Sequence, residues 1–305
     1  MLEKKIGLAF GGGGARGLAH IGVIKVLLHE GIMPDVIVGT SIGAVAGALL
    51  AVSGDPDAVV KRVQDYFACE CFKRMEFDLF REDNKHKNDG LFDALSHFIR
   101  KKIFFNVSLA SQQSYVKLED YMDNMQYLID DMNIEDAKIP LGIVCTDIHS
   151  GKEVVLTRGP MRLAVAASSS IPGVFPPIDF QGRMLVDGGW VNQLPVGPCR
   201  DLGADIVIGV DVAHELEQTF TMDTGLDIIR RANSITRQTL TSLQSRGADI
   251  IIAPDVGKIS WAGFDCIEGC INLGEIAAKK ALRKIKKCIA MQDESLLNRF
   301  LSKLK

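Results

Sequence analysis

The amino-acid sequence predicts an α/β protein built in three layers, α/β/α, with helices on both faces of a mostly parallel central sheet. Short apolar runs alternate with segments whose apolar residues recur at helical spacing, a pattern typical of a parallel sheet covered by helices. Over residues 5–52 the order is strand, glycine-rich loop, helix, strand and helix. Among the 305 residues, 47% are hydrophobic and 24% are charged, which excludes a disordered chain.

Each early element has its own signal. Residues 5–10 are a short apolar run that stops at a glycine cluster, which predicts a buried strand. Apolar residues at near-helical spacing over 18–29 predict a helix that ends at Gly31. Residues 35–39 predict the second strand, and residues 42–52, apolar on all sides, predict a buried helix. Further strands are expected at 141–146, 153–157, 184–187, 206–212 and 250–253, and further helices at 161–168, 226–244 and 276–289.

Residues 55–138 differ in character, because they are charged, rich in helical patterns and without a convincing strand. Candidate helices lie at 57–67, 91–103 and 118–132. We therefore predict a single domain over residues 1–305 with a helical insertion or cap over 55–138. Residues 275–305 hold nine Lys and Arg against three acidic residues, which predicts a basic helical tail.

Charge and cysteine content exclude several classes of function. A formal net charge of −3 argues against a general affinity for nucleic acid. Seven cysteines spread along the chain predict reduced thiols and a cytoplasmic location. Cys69-x-Cys71 and Cys266-x3-Cys270 lack the partners of a zinc site, and no calcium-loop motif is present, so we predict no metal and no cofactor. The uncharged, mostly apolar run over residues 36–52 is shorter than the ~20 residues of a membrane helix.

Ser41 is the candidate nucleophile. It lies in Gly39-Thr40-Ser41-Ile42-Gly43, a G-x-S-x-G motif placed where a predicted strand becomes a helix. A nucleophile elbow needs that position, because the sharp turn exposes the serine and flanking glycines relieve crowding. The alternative is a structural turn or a helix-capping serine.

The glycine loop Gly12-Gly13-Gly14-Ala15-Arg16-Gly17 follows the first strand and opens a helix. Several backbone N–H groups there suit an anion, which favours an oxyanion hole beside a serine nucleophile. The alternatives are a purely structural turn and a nucleotide loop. A nucleotide-binding loop of this type is accompanied by an acidic residue at the end of the second strand. This chain has Gly39-Thr40-Ser41 there instead.

Asp187 is the candidate general base. Together with Gly188 and Gly189 it follows a predicted strand, at the edge where open α/β sheets place their sites. It would take the proton of Ser41, and the alternative is an ordinary turn aspartate.

Three motifs in this order, residues 12–17, 39–43 and 187–189, resemble those of the patatin-like phospholipase family. The resemblance is to small bacterial members related to the catalytic domain of neuropathy target esterase. Residues 167–177 also resemble the family's segment ahead of its catalytic aspartate, and the resemblance spans residues 4–255. The cap region and the tail match nothing specific.

The resemblance implies a patatin-like α/β/α fold and a Ser–Asp dyad without histidine or cofactor. Ser41 would be the nucleophile and Asp187 the base, and the N–H groups of Gly12, Gly13 and Gly14 would form the oxyanion hole. Arg16 would be the basic residue of the loop or only brace it against a carboxylate or a carbonyl. Glycines with a supporting role would be Gly17, Gly39, Gly43, Gly188 and Gly189.

A triad remains the alternative to the dyad. His214 follows the predicted strand 206–212, and the order Ser41, Asp187, His214 is that of α/β-hydrolase triads. That fold, however, needs more chain before its elbow than 40 residues supply. His20 is expected to pack rather than react.

These observations predict a serine acyl hydrolase of the phospholipase, lysophospholipase or esterase type, acting on a lipid or another ester. The alternatives are a catalytically weak regulatory or binding protein on the same fold and, further off, a nucleotide-binding module. The basic tail could contact anionic lipid at the inner membrane surface or be an ordinary solvated helix. Aromatic residues of the cap could line an acyl channel or form the cap's own core: Phe67, Phe72, Phe77, Phe80 and Phe92. The oligomeric state is not predicted.

Overall fold

A computed structural model describes residues 4–73, 112–213, 223–257 and 259–303 of the chain. Its centre is an eight-stranded sheet in which the strands run in the order β5-β6-β3-β2-β1-β7-β8, with β4 paired to β3 outside this path. The strands are β1 (Ile6–Phe10), β2 (Val36–Thr40), β3 (Leu141–Asp147), β4 (Glu153–Leu156), β5 (Ile178–Phe180), β6 (Arg183–Asp187), β7 (Ile206–Val210) and β8 (Ile250–Ile252).

Five strands, β3, β2, β1, β7 and β8, pair in parallel, and β4, β5 and β6 add antiparallel pairs at one end of the sheet. The predicted α/β fold with a mostly parallel sheet is therefore confirmed. The helices are α1 (Ala19–His29), α2 (Ile42–Ser53), α3 (Pro56–Ala68), α4 (Glu70–Lys73), α5 (Leu118–Leu128), α6 (Met161–Ser168), α7 (Val196–Asp201), α8 (Gly225–Ser245) and α9 (Ile267–Lys303).

Both faces of the sheet are covered. One core joins α1, α2, α6 and α9 to the sheet, and a second core joins α7 to the opposite side of β1, β2 and β7. Every residue of β2 and β7 is buried, which explains why these strands are continuous apolar runs rather than alternating ones.

The edge of β3 fixes the position of the site. β4 covers one edge of β3 at residues 143–146, so β2 and β6 must share the other edge. Thr40, the last residue of β2, lies opposite Val144, and Asp187, the last residue of β6, lies opposite Cys145. Because β6 runs antiparallel to β3, the carboxyl ends of β2 and β6 meet.

Several sequence predictions differ from the structure. The strand β5 and the helix α7 were not predicted, since three and six residues are too few for a clear periodicity. The tail helix begins at Ile267, ahead of the predicted residue 276. The described part of 55–138 forms α3, α4 and α5 and no strand of the sheet, while the candidate helix 91–103 lies outside the described residues. The extent of an insertion or cap stays a prediction.

The prediction of seven reduced thiols is wrong at one pair, since Cys69 and Cys71 form a disulfide. The chain bends between α3 and α4 at Cys69, so two sulfurs only two residues apart come within bonding distance. The other five cysteines are free.

The tail helix α9 packs along α1. Gly22 of α1 and Gly274 of α9 sit where the two helices cross, each against backbone of the other helix. Lys25 pairs with Glu275 at 2.5 Å, and Lys286 pairs with Glu30 at 2.6 Å. Ala278 and Ile285 of α9 are buried, and the lysines at 279, 280, 284, 286 and 287 are exposed. Within the described ranges, no helix combines the length and the apolar character that a bilayer crossing needs.

This crossing can be tested with two glycines of one helix. A Cβ on Gly274 would collide with the carbonyl oxygen of Ala19, whereas a Cβ on Gly269 would meet nothing. We expect Gly274→Ala to lower the free energy of unfolding by about 1–3 kcal/mol and Gly269→Ala to raise it by up to about 1 kcal/mol. Urea unfolding measures both, and a Gly274→Ala protein as stable as Gly269→Ala would refute the crossing.

Candidate active site

Ser41 occupies a strained turn between β2 and α2. Its backbone has φ 56° and ψ −125°, a conformation that L residues rarely adopt. A Cβ on Gly43 would collide with the carbonyl oxygen of Phe10, and a Cβ on Gly17 would collide with the side chain of Ile42. The two glycines therefore let the first turn of α2 begin directly against the glycine loop, as a nucleophile elbow requires.

The side chains of Ser41 and Asp187 are joined by a hydrogen bond. Ser41 Oγ donates to Asp187 Oδ2 at 2.7 Å, across 146 residues of chain. The other carboxylate oxygen, Oδ1, accepts the N–H of Gly189 at 2.7 Å. The backbone of Asp187 is held by the carbonyl of Ser170 at 2.9 Å and by the hydroxyl of Thr146 at 2.8 Å. The carboxylate thus has one fixed orientation toward the serine.

Burial changes the acidity of this carboxyl. It raises the pKa of Asp187 from 3.8 to about 6, although the hydrogen bonds from Ser41 and Gly189 and the charge of Arg237 act in the opposite direction. At neutral pH the group is still mostly ionised. It is also a stronger base than an exposed carboxylate, because a higher pKa favours uptake of a proton.

Ser168 positions the backbone of the elbow. Its Oγ accepts the N–H of Ser41 at 2.9 Å and donates to the carbonyl of Val144 at 2.6 Å. Sequence reasoning singled out the segment 167–177 but gave Ser168 no role. A hydroxyl that both donates and accepts in the core is a bridge that only the tertiary contacts reveal.

The glycine loop has fewer unengaged backbone N–H donors than the sequence predicts. The N–H of Gly12 donates to the carbonyl of Gln193 at 3.0 Å, so this donor is already engaged. Within the described part of the chain, the N–H groups of Gly13 and Gly14 have no acceptor. Gly14 has φ 59° and lies against the carbonyl of Trp261, so no side chain fits there. Of the three glycines predicted to form the oxyanion hole, Gly13 and Gly14 therefore remain as candidate donors.

Gln193 was missed by the sequence analysis. Its Nε2 donates to the carbonyl of Gly12 at 2.6 Å, while its own carbonyl accepts the Gly12 N–H. Gln244 of α8 in turn accepts the N–H of Gln193 at 3.1 Å and donates to the carbonyl of Val191 at 2.9 Å. The glycine loop, the turn after Asp187 and α8 are thus one hydrogen-bonded unit. A lone glutamine carries no sequence signal that distinguishes it from a surface residue.

The remaining motif residues have structural contacts. Arg16 donates from Nε to the carbonyl of Ile259 at 2.7 Å, the brace against a carbonyl considered from the sequence. A Cβ on Gly39 would collide with the carbonyl of Gly43, and one on Gly188 with the carbonyl of Val144. Gly189 lies against the side chain of Gln193.

His20 and His214 are the two histidines that the sequence analysis considered. His20 is buried, and its Nε2 lies 2.7 Å from the carbonyl oxygen of Gly11. Burial lowers the pKa of His20 to about 4, so the ring is neutral and packs against Phe10. His214 lies outside the described residues, so the triad alternative is untested. Across the described ranges no group of three His, Cys, Asp or Glu side chains could hold a metal ion.

Comparison with known proteins agrees with the motifs. The family model described as "Patatin-like phospholipase" matches residues 8–200, more than half of the chain. The patatin-like phospholipase domain-containing protein ZK370.4 of Caenorhabditis elegans is 34% identical over 72% of this chain and 14% of its own length. The NTE family protein Rv1063c of Mycobacterium tuberculosis is 30% identical over 69% of this chain and 49% of its own length. Lysophospholipase nte1 of Aspergillus fumigatus is 32% identical over 68% of this chain and 12% of its own length. The chain thus spans about half, or less, of the length of these relatives.

The buried carboxyl predicts a pH-dependent stability. Because the pKa of Asp187 is raised from 3.8 to about 6, the folded protein holds this proton more tightly than the unfolded chain does. The stability of the wild type should therefore fall, relative to Asp187→Asn, by about 2 kcal/mol as the pH rises from about 4 to about 6. Urea unfolding at a series of pH values measures this difference.

Asp123→Asn, at an exposed position of α5, is the matched control and should follow the wild type at every pH. Parallel stability profiles for wild type and Asp187→Asn would contradict the raised pKa.

Proposed function

The chain belongs to the patatin-like phospholipase family, and from this we propose that it is a serine acyl hydrolase that cleaves carboxylic ester bonds of lipids with a Ser41–Asp187 dyad. The observation that carries the proposal is the 2.7 Å hydrogen bond from Ser41 Oγ to a buried carboxylate. A serine hydroxyl is a weak nucleophile until an adjacent base removes its proton. The names of the relatives, which include a lysophospholipase, support a lipid ester as the substrate.

In the first half-reaction Ser41 Oγ attacks the ester carbonyl carbon while Asp187 takes the hydroxyl proton. The tetrahedral intermediate collapses as the alcohol leaves and accepts that proton, and the acyl group stays on Ser41 as an ester. In the second half-reaction Asp187 takes a proton from water, which attacks the acyl-enzyme. The fatty acid departs, and the proton returns to Ser41.

The negative oxygen of each intermediate needs donors. The N–H groups of Gly13 and Gly14 and the N-terminus of α2 are the candidates, since α2 begins at Ile42 directly after the nucleophile. One donor of this kind typically contributes about 3 kcal/mol of transition-state stabilisation.

The chain length of the substrate depends on the acyl channel. Phe67 and Phe72 pack edge to face at 4.6 Å, and each also packs against Phe264. These two rings therefore pack against the main core beside Phe264, which lies outside residues 55–138, while Phe77, Phe80 and Phe92 lie outside the described residues. We propose a phospholipid or lysophospholipid ester and leave the head group open.

The test is hydrolysis of a p-nitrophenyl ester series, lysophosphatidylcholine and phosphatidylcholine by wild type, Ser41→Ala, Asp187→Asn and His214→Gln. We expect Ser41→Ala to fall to background and Asp187→Asn to lose about 10²–10⁴-fold in kcat. His214→Gln should retain full activity, because the dyad uses no histidine. Circular dichroism checks that each variant is folded.

Each other outcome has a distinct meaning. Activity that survives in Ser41→Ala would refute the nucleophile, and a His214→Gln protein as inactive as Ser41→Ala would replace the dyad with a triad. A wild type that is silent on every ester would favour the regulatory alternative.

A further inference from the structure

The side-chain amide of Gln193 lies between the glycine loop and the turn that holds Asp187. Gln193 is buried, with 8% of its surface exposed. A Cβ on Gly12 would meet the atoms of this amide at 3.2 to 3.4 Å, and a Cβ on Gly189 would collide with the amide oxygen. One glycine of the loop and one of the turn therefore leave the space that the Gln193 amide fills.

This amide holds the carbonyl of Gly12. Its Nε2 donates to that oxygen at 2.6 Å, and since a carbonyl can only accept, the NH2 end of the side chain must face Gly12. The Gly12 carbonyl and the Gly13 N–H belong to one trans peptide group, in which they point in opposite directions. The bond from Gln193 therefore fixes the direction of the Gly13 N–H, one of the two candidate oxyanion donors.

The preceding peptide group of the loop is held at both ends. The carbonyl of Gly11 accepts from Nε2 of His20 at 2.7 Å, and the N–H of Gly12 donates to the backbone carbonyl of Gln193 at 3.0 Å. Glycine has more conformational freedom than any other residue, so holding this group does not set the direction of the next one. That direction depends on the side chain of Gln193.

Gln193 is itself held in place by α8. Oε1 of Gln244 accepts the N–H groups of Gln193 and Leu194 at 3.1 and 3.4 Å, and its Nε2 donates to the carbonyl of Val191 at 2.9 Å. The backbone is thus clamped on both sides of Gln193. The same turn begins at Asp187, so the candidate base and the amide that orients the candidate donor are carried by one short segment.

The chemistry of the site gives this contact a use. Hydrogen bonds in a chain polarise one another, so a donor at the Gly12 carbonyl makes the Gly13 N–H a stronger donor. An N–H that is already aimed at the developing negative charge also costs no reorganisation during the reaction.

We propose that Gln193 is the positioning residue of the oxyanion hole, which aims and polarises the Gly13 N–H toward the negative oxygen formed from the ester carbonyl. This proposal rests on the proposed function and adds the residue that orients its oxyanion donor. Gln193 acts through the peptide group between Gly12 and Gly13 and not on the ester itself.

The test compares the hydrolysis of p-nitrophenyl butyrate by wild type, Gln193→Met and Gln193→Asn. Methionine keeps the length of the side chain without a donor, and asparagine keeps the amide but is one methylene shorter. We expect both variants to lose about 10–100-fold in kcat with KM unchanged, because the oxyanion exists only after attack on the ester. Circular dichroism and urea unfolding identify the variants that are folded, and either one alone decides the test.

A trifluoromethyl ketone with a short alkyl chain measures the oxyanion hole without turnover. Ser41 Oγ adds to the ketone carbon, Asp187 takes the hydroxyl proton, and the ketone oxygen becomes the anion that the hole binds. The Kd of this adduct should rise in the Gln193 variants by the factor by which kcat falls. The pH dependence of kcat/KM should stay that of the wild type, because the carboxylate of Asp187 keeps its own contacts.

Gln126→Met, the same substitution at an exposed position of α5, is the matched control and should equal the wild type in kcat and in ketone affinity. A folded Gln193 variant as active as this control would overturn the proposal. So would a fall in kcat with unchanged ketone affinity or with a shifted pH profile, because the loss would then come from a displaced Asp187.

Failure of the proposed function has a different signature. A wild type that hydrolyses no ester and forms no adduct with the ketone would refute the function, and the role of Gln193 with it. An active wild type whose Gln193 variants match it would leave the function standing and remove only the positioning residue.

Discussion

The arrangement on which the rest of the site depends is the sharing of one edge of β3 by two strands. β2 reaches it from one direction and ends at Thr40, and β6 reaches it from the other and ends at Asp187. Backbone pairing alone therefore sets the separation of residues 41 and 187, before any side chain contributes. A hydrogen bond of 2.7 Å follows without a histidine between the two groups. A pair of side chains fixed by two strand ends is more rigid than one held on loops.

Two features of this arrangement lower the free energy of unfolding. Ser41 has a positive φ, and Asp187 is a buried carboxylate whose ionised form is poorly solvated. The surrounding hydrogen bonds offset part of both costs, since Ser168 holds the serine backbone and Gly189 and Thr146 hold the aspartate. The same desolvation that costs stability raises the pKa of the carboxyl toward that of a useful base.

Much of this could be predicted from the sequence, because strand-to-helix turns and glycine spacing are local properties. The positions of Ser41, Asp187 and the glycine loop all follow from motifs beside predicted strands. Two features that escaped prediction depend on contacts between distant segments: the engagement of the Gly12 N–H by Gln193 and the bridging hydroxyl of Ser168. The disulfide between Cys69 and Cys71 is local, but it depends on the bend of the chain between α3 and α4. The helix α8 was predicted almost to its ends, but periodicity gives no indication that apolar side chains such as Ile235 are exposed.

The measurement that tests the central claim most directly is the rate at which a fluorophosphonate labels Ser41 as a function of pH, followed by peptide mass spectrometry. If Asp187 activates Ser41, the label should appear on Ser41 alone, and its rate should rise with pH along one ionisation centred near the pKa of about 6. Asp187→Asn should react slowly at every pH. A label on another residue, or a rate that is the same with and without the Asp187 carboxylate, would contradict the dyad.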